Sequence, residues 1–143
     1  MLEVSRAAEW DLDALIKIDP SLASEKSRRD FVRIGIDKGQ CVVCRANGSI
    51  GGYAVFNKEF FGQAFIWLLF TSPESRRIGV ATSIIRHIET TIDSEKLFTS
   101  TNQSNVIMQN LMKKLGFLKS GYLENLDDKD PEIFYIKKLR PRV

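Results

Sequence analysis

The sequence predicts an α+β fold: one domain over residues 1–143, with a mixed sheet of about seven strands and four helices. Three observations carry this. Two pairs of strand-like runs are joined by short turn-rich connections, and such pairs form antiparallel hairpins. Between them an apolar strand, an amphipathic helix and another strand follow in order, which requires a parallel pair with a right-handed crossover. Finally, 143 residues have room for one core, burying roughly two thirds of the unfolded surface.

The elements follow from local signals. Leu2 to Ala7 reads as the first strand, and Glu9 to Ile18 as a helix with Trp10, Ala14 and Ile18 on one side before Pro20 stops it. The second helix starts at Ser27, spaced from Asp30 as in a capping box, and ends at Gly39 after a lysine. Gln40 to Ala46 and Ile50 to Asn57 form a hairpin, because Asn47-Gly48 suits a type I′ turn. A loop from Lys58 to Gln63 leads to the run Ala64 to Phe70, apolar on both faces like a strand in the middle of a sheet. A helix to about Thr91 follows, with Ala81, Ile85, Ile88 and Ile92 as its inward stripe. Lys96 to Ser100 is a strand and Ser104 to Leu115 the last helix, closed by Gly116. Phe117 to Asn125 and Glu132 to Lys138 make the second hairpin around an acidic loop.

The segment between the apolar run and its helix, Ser75-Arg76-Arg77-Ile78-Gly79-Val80-Ala81-Thr82, is a strand-to-helix anion cradle. Gly79 and the small Ala81 let a ligand approach the backbone, the first free N–H groups of the helix point at it, and Arg76 and Arg77 add charge. A P-loop would need Gly-x-x-x-x-Gly-Lys-Ser/Thr and a dinucleotide site three spaced glycines; the chain has neither. Arg-x-x-Gly-x-Ala after a central strand resembles the pyrophosphate loop of the GNAT-type N-acetyltransferases. Asn105-Val-Ile-Met108-Gln-Asn-Leu111-Met112-Lys-Lys114-Leu115-Gly116-Phe117 is similar to a second segment of that family, in the right order and separated by the span of one helix and one strand.

The resemblance implies acetyl-CoA as cosubstrate and transfer of its acetyl group to a primary amine of a small molecule or protein. It implies parallel strands splayed around the CoA arm. Leu69, Phe70 and Thr71 would pair with the pantetheine amides; Arg76, Arg77, Ile78, Gly79, Val80, Ala81 and Thr82 would hold the pyrophosphate; Asn105 would touch the arm near the sulfur. Met112 falls where the family commonly has a tyrosine that protonates the departing thiolate, and a thioether has no proton to give. Phe65, Trp67 and Leu69 leave no acid on the apolar strand where some relatives carry a glutamate; the carboxylates placed to serve as base are Glu59, on the loop before that strand, and Glu25, near the start of the second helix. Tyr122, Tyr135 and Ser104 are candidate substitutes for the missing hydroxyl. The acidic loop from Glu124 to Glu132 borders the family's acceptor pocket, which makes Asp127 and Tyr135 candidate acceptor contacts. A non-catalytic acyl-CoA-binding sensor is the alternative that Met112 keeps open.

Composition bounds the rest. Net charge is +3, from 21 basic and 18 acidic residues, so no nucleic-acid or membrane partner is expected; the short basic tail of Lys137, Lys138, Arg140 and Arg142 reads as solvated. No metal is expected either. Cys41 and Cys44 sit three apart on a strand, where side chains point to opposite faces, and read as reduced core thiols. No apolar leader opens the chain, so a cytoplasmic protein, monomeric or homodimeric, is the expectation.

Overall fold

The computed structural model describes residues 1–139. Its elements are β1 (Leu2–Arg6), a 3₁₀ turn (Glu9–Asp11), α1 (Leu12–Ile18), α2 (Pro20–Ser24), α3 (Lys26–Asp37), β2 (Cys41–Ala46), β3 (Ser49–Phe60), β4 (Gln63–Thr71), a second 3₁₀ turn (Pro73–Ser75), α4 (Val80–Thr91), β5 (Lys96–Asn102), α5 (Val106–Lys114), β6 (Leu118–Leu123) and β7 (Glu132–Lys138). The seven strands form one sheet in the order β1-β2-β3-β4-β5-β7-β6. β4 and β5 pair in parallel; the β1–β2, β2–β3, β5–β7 and β6–β7 pairs are antiparallel, so the sheet is mixed as expected. Arg140 and Arg142 lie outside the described residues.

Two compact units divide the chain: Met1–Phe56 with Leu68–Thr91, and Asn57–Trp67 with everything from Ile92 onward. In the first, α1, α2 and α3 close a core of Leu15, Leu22, Val32, Ile36, Cys41, Val43, Tyr53 and Val55 over β2 and β3. Each leucine, isoleucine and valine among them, fully withdrawn from water, contributes about 1.5–3 kcal/mol before entropy is charged against it. Tyr53 is wholly buried, and its hydroxyl donates to Asp19 Oδ2 at 2.6 Å. Asp19 in turn caps α2 by accepting from Ser21 N, so one carboxylate fastens a helix start to the sheet. Cys41 and Cys44 are both free and buried, and only Cys41 belongs to this core. Burial pushes the Cys41 thiol up to about 12, as an inert core thiol requires.

Several expectations change here. Pro20 does not only stop α1. It opens α2, since proline is preorganised for a first helical turn, and this adds a fifth helix. Trp10 is 82% exposed; Leu15 is the residue α1 buries. Asp30 does not cap α3, which begins at Lys26. Its carboxylate pairs with Lys26 and Arg33, which hold it below its usual pKa. The stripe of α4 consists of Val80, Ile84, Ile85 and Ile88, with Ala81 half-buried. The expected loop at Lys58 is strand: β3 runs to Phe60, and Phe61-Gly62, both at positive φ (52° and 75°), turn directly into β4. β4 is central, yet only Ala64, Phe65 and Ile66 are fully buried and Trp67 is exposed.

The second unit packs α5 on one face of β5, β7 and β6. Lys137 Nζ sits 5.8 Å from the Phe117 ring centroid, placing the end of α5 on the face that Lys137 shares with Ile133 and Tyr135. Leu97, Met112, Leu115 and Phe117 are buried there. The other face carries Phe60, Phe65, Phe98 and Phe134, whose rings meet at 4.4–6.1 Å.

Candidate functional site

The cradle is built entirely within the first unit. After β4 ends at Thr71, the N–H of Ser72 donates to Gly51 O at 2.8 Å and that of Ser75 to Ser72 O at 2.9 Å, which pins the connecting turn to β3. Arg77 and Gly79 then take positive φ, 73° and 92°. The first bond of α4 runs from Ser83 N to Gly79 O at 2.9 Å, so the amides of Val80, Ala81 and Thr82 precede any intrahelical acceptor. Arg76, Arg77 and Ile78 are exposed and Val80 is buried, which anchors the helix start while its rim stays in water. No acidic residue occupies the first turn of α4, so nothing on the helix opposes an anion at its positive end.

Gly79 is required by its backbone more than by space: a Cβ there would meet only Leu2 Cδ1 at 3.6 Å. Space is the issue on β3. A Cβ on Gly52 would lie 2.5 Å from Phe70 O and 2.7 Å from Val80 Cγ1, and one on Gly51 would strike Ser75. This Gly-Gly pair is the back wall of the cradle. Sequence reasoning passed over it, although glycine inside a strand is a known mark of close backbone approach.

The ladder between β4 and β5 holds three pairs, Ala64–Leu97, Phe65–Phe98 and Ile66–Thr99, and ends there while β4 continues to Thr71. Thr99 Oγ1 donates to Ile66 O at 3.0 Å and closes that end. Leu69, Phe70 and Thr71 are half-buried. β4 is therefore not sealed on both faces beyond Ile66, in contrast to the expectation for a central strand.

The other site residues named from sequence belong to the second unit. Asn105 is exposed and is the N-cap of α5, its Oδ1 accepting from Met108 N at 3.1 Å. Met112 is 1% exposed and faces the core, offering no surface to a ligand as it stands. Tyr135 is also interior, at 2%; its hydroxyl has no partner among the described residues, and burial raises its pKa. A surface contact with an acceptor is thus not what its position offers. Glu59 is an exposed residue of β3 rather than of a loop. Tyr122 is exposed on β6.

The acidic loop is tied down. Asp127 accepts from Asn102 Nδ2 at 2.8 Å, and Asp130 accepts from Ser104 N and Oγ at 3.0 and 2.7 Å. Ser104 thus spends its hydroxyl on Asp130. Glu132 accepts from Ser100 Oγ at 2.7 Å, one residue past the end of the β4–β5 ladder, a juxtaposition only the fold supplies.

Comparison with known proteins agrees with this arrangement. Residues 5–117 match the model of the acetyltransferase (GNAT) family. The chain belongs to the GNAT acetyltransferase family. A GNAT-family acetyltransferase from Bacillus cereus is 37% identical, with a TM-score of 0.92 and 99% of each chain covered. The PaiA N-acetyltransferase of Thermoplasma acidophilum, solved in complex with coenzyme A, shares the fold at 15% identity, with a TM-score of 0.77 over 96% of this chain and 99% of its own. So does YncA of Salmonella typhimurium, solved with its cofactor acetyl-CoA, at 13% identity, a TM-score of 0.79 and coverage of 100% and 96%. A search of curated proteins finds no match.

Proposed function

We propose that this GNAT acetyltransferase transfers the acetyl group of acetyl-CoA to a primary amine. The observation that carries the proposal is the cradle: positive φ at Arg77 and Gly79 followed by a helix start whose first amides lack intrahelical partners. Those amides, with Arg76, Arg77 and Ile78 at the rim and Gly79, Val80, Ala81 and Thr82 beneath, fit a pyrophosphate by charge and by close backbone approach. Leu69, Phe70 and Thr71, past the end of the ladder, would offer strand amides to the pantetheine arm, and Asn105 its exposed side-chain amide. The solved relatives holding coenzyme A or acetyl-CoA support the choice of cosubstrate.

An ammonium with pKa near 10 is mostly protonated at neutral pH, which opposes attack on the thioester by roughly 4 kcal/mol. A carboxylate that takes that proton therefore matters more than an acid for the thiolate, whose own pKa near 8.5 makes it a tolerable leaving group. Glu59, exposed to water on β3, is the base proposed from sequence. Met112 supplies no proton to the sulfur. The same reading takes the chain as one domain at work in the cytoplasm; no described helix is long and apolar enough to cross a membrane.

Thermal denaturation with and without acetyl-CoA tests cosubstrate binding. At a hundredfold excess over Kd the fold should gain roughly 2.7 kcal/mol, several degrees of Tm. No shift at millimolar acetyl-CoA would remove the proposal. The buried Met112 favours a second reading, an acyl-CoA-binding module without turnover, and failure to release free CoA with any amine would select it.

A further inference from the structure

The second unit leaves one face of its sheet open. Among the described residues its only helix is α5, which lies on the face of Ile133, Tyr135 and Lys137. Because strand side chains alternate, β7 turns Glu132, Phe134, Ile136 and Lys138 to the opposite face, and β6 places Gly121 beside Phe134 and Leu118 beside Ile136. Toward β4 this face is filled by its own rings, with Phe60 stacked on Phe134 (centroids 5.7 Å, planes 16° apart) and touching Phe65 at 4.4 Å. Toward β6 it is bare. Leu118 is 70% exposed and Ile136 only half-buried, whereas an apolar sheet face normally packs on another layer.

Gly121 is the odd residue on this face. A Cβ built on it would meet nothing within 4 Å, and its φ is not positive, so neither packing nor backbone within the chain asks for glycine. The β6 bulge between Lys119 and Gly121 does not ask for it either, since a bulge needs glycine only in the left-handed conformation. Glycine weakens a strand interior and marks places where another group comes close. The gap it leaves lies on the same face and strand as the exposed Leu118.

We propose that this face binds the same face of a second copy, forming a two-fold dimer through β6 and β7. The rows are self-complementary. A two-fold axis crossing the strands between Phe134 and Ile136 sets Glu132 against the partner's Lys138, Ile136 against the partner's Phe134, and Leu118 over the gap at the partner's Gly121. Each contact occurs twice, as an isologous interface requires. Sheets packed face to face lie about 10 Å apart and turn by about 30°, which moves a neighbouring strand by less than one residue. β6 is also the edge of the sheet, but its bulge is a device that spoils edge-to-edge pairing, so the contact is through the face. Four strands by the seven residues of β7 cover roughly 19 Å by 23 Å. That is a few hundred Å² per copy, below the roughly 800 Å² of a standard interface, so the dimer is weak and reversible.

Sedimentation equilibrium of the full chain between about 1 µM and about 1 mM should show one copy converting to two, with Kd on the order of tens of micromolar. Gly121→Val should raise Kd at least about tenfold while holding or raising Tm, because valine suits a strand better than glycine and its side chain fills the gap that Leu118 needs. Lys138→Glu should weaken the dimer by about as much through two like-charge contacts, and adding Glu132→Lys should restore most of the loss. A chain still monomeric at about 1 mM, a larger open assembly, a dimer indifferent to Gly121→Val, or a double reversal that restores nothing would overturn the inference. A dimer indifferent to all of these changes would assign the contact to the β6 edges instead. Should Gly121→Val fail to melt cooperatively, the charge reversals at the two ends of the face decide. None of these outcomes bears on the cradle, whose acetyl-CoA thermal shift is read on its own.

Discussion

Gly79 does its work through one angle. At φ 92° any side chain is strained, and a branched one also covers the amides at the start of α4. Gly79→Val should therefore abolish the acetyl-CoA thermal shift while leaving a cooperative melt, because the added Cβ meets only Leu2 Cδ1, at 3.6 Å. Arg77→Ala should weaken binding by less, since an exposed guanidinium contributes little against water. Met112 poses the opposite question, chemistry removed rather than supplied. If the thiolate leaves unaided, Met112→Tyr should raise turnover at low pH, where the anion is a poorer leaving group, and change little above a pH of about 8.5. Pre-steady-state rates across pH, with a melt to check that the buried site holds the larger ring, test this; a gain equal at every pH would exclude unaided departure.

Among the elements, α5 offers the cleanest energetic test. Asn105 caps it through Met108 N, so Asn105→Ala should cost about 1 kcal/mol and lower Tm by several degrees. Asn105→Asp, which keeps the acceptor, should cost much less. The β2–β3 hairpin shows how far local signals reach: Asn47-Gly48 set it, and both residues adopt the positive φ that a type I′ turn demands, because two residues suffice to specify such a turn. Asp30 was misread because a capping box is also a salt-bridge spacing, and Lys26 and Arg33 outbid the helix amides for its carboxylate. Phe61-Gly62 was missed because phenylalanine is not a turn residue. The cradle was legible because its chemistry is local, a strand end, a glycine and a helix start. The Ser100–Glu132 pair was not, since it joins residues 32 apart that only strand register brings together.

For the whole molecule, alkaline pH is the informative variable. Burial, joined for Tyr53 by the hydrogen bond to Asp19, raises the phenol pKa of Tyr53, and burial alone raises that of Tyr135. The unfolded chain gives up these protons near pH 10 while the folded one keeps them. Their contribution is therefore complete below about pH 10 and falls as pH rises through the folded values. Denaturant midpoints measured from pH 8 to 11 should decline in the upper part of that range. Tyr135→Phe should move the decline to higher pH without loss at neutral pH, because its hydroxyl has no partner among the described residues to lose. Tyr53→Phe should cost stability at neutral pH as well, by leaving the buried Asp19 short of a donor.

The glycine pair behind the cradle makes a distinction that a genetic selection can read. At Gly52 an added methyl meets the carbonyl oxygen of Phe70, an atom every residue possesses, as well as a methyl of Val80. No substitution elsewhere removes a backbone oxygen, so revertants of Gly52→Ala should be true revertants to glycine. At Gly51 the obstruction is the side chain of Ser75, and that can be deleted. Gly51→Ala should therefore be rescued by Ser75→Gly in the same chain, with acetyl-CoA binding restored in the double variant. If second-site suppressors arose as readily for Gly52→Ala as for Gly51→Ala, the cradle would be softer than its backbone contact implies; the expected asymmetry would mark the Phe70 carbonyl as the fixed limit at Gly52.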